Sequence, residues 1–106
     1  MTLDSIPKAL LSCTDNVYHY FAPPDSVKAP WVTWAEQRKS GTYAGDHQEN
    51  QVIYGAVDLF TLEEDEPLVS KIEAALDAAD IIFELEAVLY EDDTGLIHYN
   101  WSFEVD

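Results

Sequence analysis

Residues 81–105 read IIFELEAVLYEDDTGLIHYNWSFEV, and this stretch decides the fold. In its first arm Ile81, Phe83, Leu85, Ala87 and Leu89 alternate with Glu84, Glu86, Val88 and Tyr90. In its second arm Ile97, Tyr99, Trp101, Phe103 and Val105 alternate with His98, Asn100, Ser102 and Glu104. A repeat of two puts every second side chain of a strand on the same face. Each arm therefore offers one apolar face. The link, Glu91-Asp92-Asp93-Thr94-Gly95, is turn chemistry, because Asp bonds its own backbone and Gly95 accepts positive φ. A lone hairpin is only marginally stable in water, so its apolar face needs a cover.

Two stretches supply that cover. Leu68, Ile72, Ala75, Leu76 and Ala79 form a stripe with helical period, widened by Val69. Pro67 suits the first helical position, with Glu66 or Asp65 as the cap, and the acids Glu63 to Glu66 sit at the positive end of the helix dipole. Asp80 closes this helix. Near the start of the chain Leu3, Ile6, Leu10 and Leu11 recur at spacings of three and four, and Asp4 or Ser5 caps a helix running to about Cys13.

Between the helices lie three further strands. Val17 to Phe21 is β-branched and aromatic, and it ends at Pro23-Pro24. Trp31 to Glu36 forms the next strand, and Gln51 to Thr61 a long one with apolar residues on both faces. Gln37 to Asn50 reads as a flexible loop, with two glycines and little apolar content beyond Tyr43 and Ala44. The order is helix-strand-strand-strand-helix-strand-strand. It predicts an α+β fold, with a mainly antiparallel sheet of four to five strands and two helices packed on one face. Residues 1–106 are expected to form a single domain.

Composition narrows the function. Five Lys and Arg stand against 21 Asp and Glu, a net charge of −16 with neutral histidines. That balance disfavours binding to the phosphate backbone or to anionic lipid, both of which draw on basic side chains. No apolar run has the length needed to span a bilayer, and Met1 to Leu11 lacks the pattern of a secretory leader. Cys13 is the only cysteine, so no intrachain disulfide forms and a reducing compartment is expected.

No pattern nominates an enzyme, a metal or a cofactor. His19, His47 and His98 lack paired ligand spacing. Asp92-Asp93-Thr94-Gly95 is too short for an EF-hand loop. Glu63 to Glu66 reads as a solvated helix start. There is no phosphate-binding glycine loop and no nucleophile elbow. The aromatic residues remain. Tyr18, Tyr20, Trp34, Tyr54 and Tyr90 exceed what two short helices can cover, which predicts an open aromatic sheet face serving subunit contacts. Arg38, Lys39 and Tyr43 belong to the same expected interface, on a loop that orders against a neighbouring subunit.

Four phrases resemble the tail terminator and tail completion (tail-to-head joining) proteins of long-tailed bacteriophages. They are the first helix with Val17-Tyr18-His19-Tyr20, the strand Tyr54 to Thr61, the helix Leu68 to Leu76, and the ending Tyr90 to Tyr99. The resemblance implies a structural virion protein located at the head-proximal end of the tail and assembled in the bacterial host cytoplasm. It implies a hexameric ring of identical copies that caps the tail tube and meets the tube protein below and the head connector above. DNA would pass through the ring without being bound, repelled by a negative bore. The competing expectation is an acidic DNA mimic that inhibits a basic partner, such as a nuclease or polymerase.

Overall fold

The computed structural model describes residues 2–23, 27–44 and 47–106, with the side chains of 41–44 and 47–50 outside the description. The elements are α1 (Ser5–Leu11), β1 (Val17–His19), β2 (Trp31–Ala44), β3 (His47–Thr61), α2 (Pro67–Ala78), β4 (Ile82–Glu91) and β5 (Leu96–Val105). They follow the expected order. The strands form one mixed sheet, β1-β2-β3-β5-β4. β1 runs parallel to β2, and every other neighbouring pair is antiparallel.

The helices begin and end as their residues dictate. Glu66 caps α2 by accepting the Leu68 N–H at 3.2 Å, and it also accepts the Thr61 hydroxyl at 2.7 Å. Pro67 follows at the first helical position, where its missing N–H costs nothing. The other end closes through Asp80, whose φ is +58°. The Ile81 N–H reaches the Leu76 carbonyl and the Asp80 N–H reaches that of Asp77, both at 3.0 Å. This is the Schellman arrangement, with Asp in the left-handed position that glycine usually occupies. α1 is a shorter element. Asp4 precedes it without a side-chain cap, and the Ser5 hydroxyl turns back to the Thr2 carbonyl.

Both helices lie on one face of the sheet, against rows of residues that cross the strands. One row runs Leu85–Trp101–Val57–Trp34–His19, from one sheet edge to the other. A second runs Val88–Tyr99–Leu59–Val32–Val17. Their centres form the core with Ile6, Leu10, Ile72, Leu76, Phe103 and Val105. Trp101 is wholly buried, and its indole N–H donates to the Glu73 carboxylate of α2 at 2.9 Å, so the one polar atom of the largest core side chain is satisfied. Gly55 stands beneath the Phe103 ring. A Cβ there would lie 2.2 Å from the Ala35 carbonyl oxygen and 2.4 Å from Phe103 Cζ.

Two expectations change. Gln37 to Ala44 and His47 to Asn50 are not loop: β2 and β3 continue through them, paired down to Ala44 and His47. The alternation that marks a half-buried strand is missing from Gln37 to Ser40 because all four side chains are exposed, so neither face selects apolar residues there. The second change is in β4. A bulge between Leu85 and Ala87 shifts its phase, so Ala87 and Leu89 fall on the open face while Val88 and Tyr90 take the helix side. Only the first half of that arm follows the alternation read from the sequence.

Gly55→Ala is expected to lower unfolding stability by about 2–3 kcal/mol in denaturant titrations, because neither the backbone carbonyl nor the buried ring can yield freely. Asp80→Gly is expected to raise stability by about 1 kcal/mol in the same assay by relieving the left-handed backbone.

Candidate assembly interface

The two free edges of the sheet differ in length and composition. β4 forms one edge over ten residues. Five of its side chains are large, apolar and exposed: Ile82 (65%), Leu85 (41%), Val88 (50%), Leu89 (56%) and Tyr90 (65%). These residues occupy both faces of the strand. The far edge is made by the three residues of β1 and by the part of β2 beyond it. Here too apolar rings are exposed. Tyr20 is 58% exposed and Phe21 73% exposed, just past the end of β1.

Around β1 the rings are stacked. His19 lies on Trp34, with centroids 3.9 Å apart, and Tyr20 lies on His19 at 4.0 Å. Tyr20 holds φ at +72°, which turns the chain away from the sheet. His19 Nε2 meets the Glu36 carboxylate at 2.6 Å. The Glu36 carboxyl is held below the usual range by a hydrogen bond from its own backbone N–H, and next by the His19 imidazole. The Tyr20 hydroxyl is pushed up by its hydrogen bond to that same carboxylate.

The open face carries a mixed strip. Trp31 stacks on Phe60 at 4.9 Å and Phe60 on His98 at 4.3 Å, across three strands. Beside this strip Asp58 accepts hydrogen bonds from Asn100 Nδ2 at 2.8 Å and pairs with His98 Nε2 at 2.6 Å. All three are half-buried. Each of the three side chains thereby finds a partner within the chain, which makes the cluster a fixed part of the sheet surface. Farther along, the Arg38 guanidinium lies over the Tyr54 ring at 3.9 Å.

The structure separates the residues expected to share one face. Tyr18 and Tyr54 are half-buried, Tyr54 beneath Arg38, and the Tyr18 hydroxyl donates to Asn16 Oδ1 at 2.6 Å. Arg38 and Lys39 are exposed on β2. Tyr20 and Tyr90 are exposed at opposite edges, so they do not form a common patch. Trp34 is a correction. It lies on the helix side at 9% exposure, within the core, because its row places it beside Val57 and Trp101. The Tyr43 side chain lies outside the described residues.

Sequence reading passed over Phe21, Ile82, Leu85, Val88 and Leu89, which are the exposed apolar positions at the two edges. A signal was present. Val88-Leu89-Tyr90 is an unbroken apolar run in a strand otherwise alternating with glutamates, and such a run marks either a bulge or a strand with two faces to cover.

No family model matches the chain, and no curated protein matches it. Among solved structures it is similar to a chain in one described as the virion of native gene transfer agent (GTA) particle. The TM-score is 0.47 at 10% identity, over 93% of this chain and 88% of that one.

His19→Ala removes one of the two leading causes of the depressed Glu36 carboxyl. Carbon-detected NMR titration is expected to place the Glu36 midpoint below that of an ordinary glutamate in the wild type and closer to it in the variant. A depressed carboxyl adds stability that is present above its unfolded pKa and lost as pH falls through its folded one. The variant is therefore expected to lose less stability than the wild type on acidification across that window.

Proposed function

We propose that this chain is a structural virion protein, a subunit of a ring of identical copies that caps a phage tail tube and joins it to the head. The observation that carries the reading is the edge strand β4. The outer edge of this ten-residue strand, which has no strand partner and carries five exposed apolar side chains, is open to pairing with another strand. An oligomer of this chain covers them. The sequence resemblance to tail terminator and tail completion proteins supplies the setting, with the tube protein and the head connector as the other partners.

The charge fits that setting. At −16 per copy, a ring of any size carries a strong negative field. DNA threading such a ring meets repulsion rather than the basic contacts that would retain it. The long β2–β3 hairpin, in a molecule 52 Å in its longest dimension, extends beyond the helices and gives the ring a protruding arm with which to reach a neighbouring component. The role is one of scaffold rather than catalyst, in the head-proximal part of the tail.

The test is deletion of the coding sequence from the genetic element that carries it, followed by electron microscopy of the particles produced. Tails of uncontrolled length, or finished tails separate from filled heads, are expected. Normal infectious particles would overturn the reading.

A further inference from the structure

The geometry points to a specific joint between copies: the free edge of β4 in one copy pairs antiparallel with the β1 edge of the next, head to tail. This inference rests on the ring reading above and assigns the two surfaces that make the ring.

Strand polarity comes first. β2 is antiparallel to β3, β3 to β5 and β5 to β4, while β1 is parallel to β2. β4 therefore runs opposite to β1. Rotation about an axis along the strands preserves polarity, so sheets set side by side around a ring bring β4 against β1 in the antiparallel sense. That is the more stable pairing.

Height comes next. In a ring without axial rise, a residue on β4 meets the residue that ends its own row at the far edge. Leu85 shares its row with His19, and Val88 shares its row with Val17. The apolar centre of β4 thus arrives at β1, with the exposed rings of Tyr20 and Phe21 just beyond. Apolar surface meets apolar surface at both ends of the joint.

Charge is the third argument. Three of the chain's five basic residues lie along the receiving edge. Arg38 and Lys39 follow β1 at one end, and Lys28 stands at the other, where its carbonyl accepts from Asn16 Nδ2. The row of Arg38 ends at Ile82, two residues from Glu84. Lys28 lies beside the start of β1, level with the end of β4 where Glu91, Asp92 and Asp93 gather. Glu84 and Glu91 of the donor strand thus stand near Arg38 and Lys28 of the receiving edge, and the one acid between those bases, Glu36, is already occupied by the His19 imidazole. The symmetric alternative, β4 on β4, brings Glu84, Glu86 and Glu91 of both copies together with no basic residue on either strand. A head-to-tail contact of this kind closes into a ring when its rotation permits.

The test uses cysteine pairing in the full chain with Cys13→Ser. His19→Cys and Leu85→Cys lie at opposite edges, four strand spacings or about 19 Å apart, too far for a bond within one chain. Mild oxidation of the concentrated double variant, its fold checked by circular dichroism, is expected to give a ladder of covalent multimers on denaturing gels. Each single-cysteine chain is expected to remain largely monomeric. A double variant that stays monomeric overturns the inference, and so does a Leu85→Cys chain that dimerises as fully as the double variant forms multimers.

Charge reversal gives an independent measurement. Lys28→Glu with Arg38→Glu, and Glu84→Lys with Glu91→Lys, are each expected to weaken self-association about tenfold by sedimentation, and an equal mixture of the two is expected to restore it. A mixture no better than its parts overturns the inference. A covalent ladder from a chain whose deletion leaves particles normal would sink the virion reading and leave this joint standing. Abnormal particles without a ladder would do the reverse.

Discussion

Nineteen helical residues have to cover five strands, and they cannot. At 1.5 Å per residue, α2 is about 18 Å long and α1 about 10 Å. Five strands spaced 4.8 Å apart make a sheet about 20 Å across, and β3 alone extends about 50 Å along it. The helices settle over the middle, where Trp101, Phe103, Leu59 and Val57 need them most. What lies outside that footprint follows from the shortage: the exposed β4 edge, the exposed rings past β1, and the exposed side chains of Gln37 to Ser40. The core is thus anchored at Trp101, held from above by Glu73, while the periphery waits for another surface.

The same shortage explains which parts of the fold were legible in the sequence. Under the helices each strand has a dry face and a wet one, so burial along β5 alternates from Trp101 to Val105 as its sequence does. Capping was legible because its chemistry is local: Glu66 and Pro67 announce α2 without reference to anything distant. Beyond the helices the pattern fails for a physical reason. Arg38, Lys39 and Ser40 pair with β3 through the backbone while their side chains are exposed, which leaves side-chain choice unconstrained, so a paired strand looks like a loop. Trp34 was misplaced for a related reason. Alternation shows that Trp34 faces away from Thr33, but only the cross-strand row shows that it lies beside Trp101 under the helices.

The open face shows what composition alone conceals. Tyrosines and tryptophans suggest a sticky surface, yet the structure spends most of them on stacking within the chain. Trp31, Phe60 and His98 lie on one another, Tyr54 lies beneath Arg38, and Asp58 is occupied by His98 and Asn100. Exposed apolar area sits at the edges instead, on the rings of Tyr20, Phe21 and Tyr90 and on the aliphatic residues Ile82, Leu85, Val88 and Leu89, which drew no attention as candidates. Edge strands bring backbone hydrogen-bonding capacity along with apolar side chains, so they serve assembly better than a flat aromatic face, which offers only the latter.

Assembly has to overcome the charge that suits the chain to its proposed setting. Sixteen net negative charges on each copy repel a second copy at long range. At physiological ionic strength that repulsion is screened beyond about 8 Å, so it acts mainly during approach and between adjacent faces. Contacts at the joint act at a few ångströms, where screening matters less and apolar burial is unaffected by salt. The outcome turns on where the few cations stand. Scattered over the surface, five basic residues would do little against 21 acids. Gathered as three along one edge, opposite the acids flanking β4, they lower the barrier at the one orientation that also buries the apolar strand. The remaining surface, with only Lys8 and Lys71 against most of the acids, stays predominantly repulsive, and that repulsion disfavours other ways of bringing two copies together.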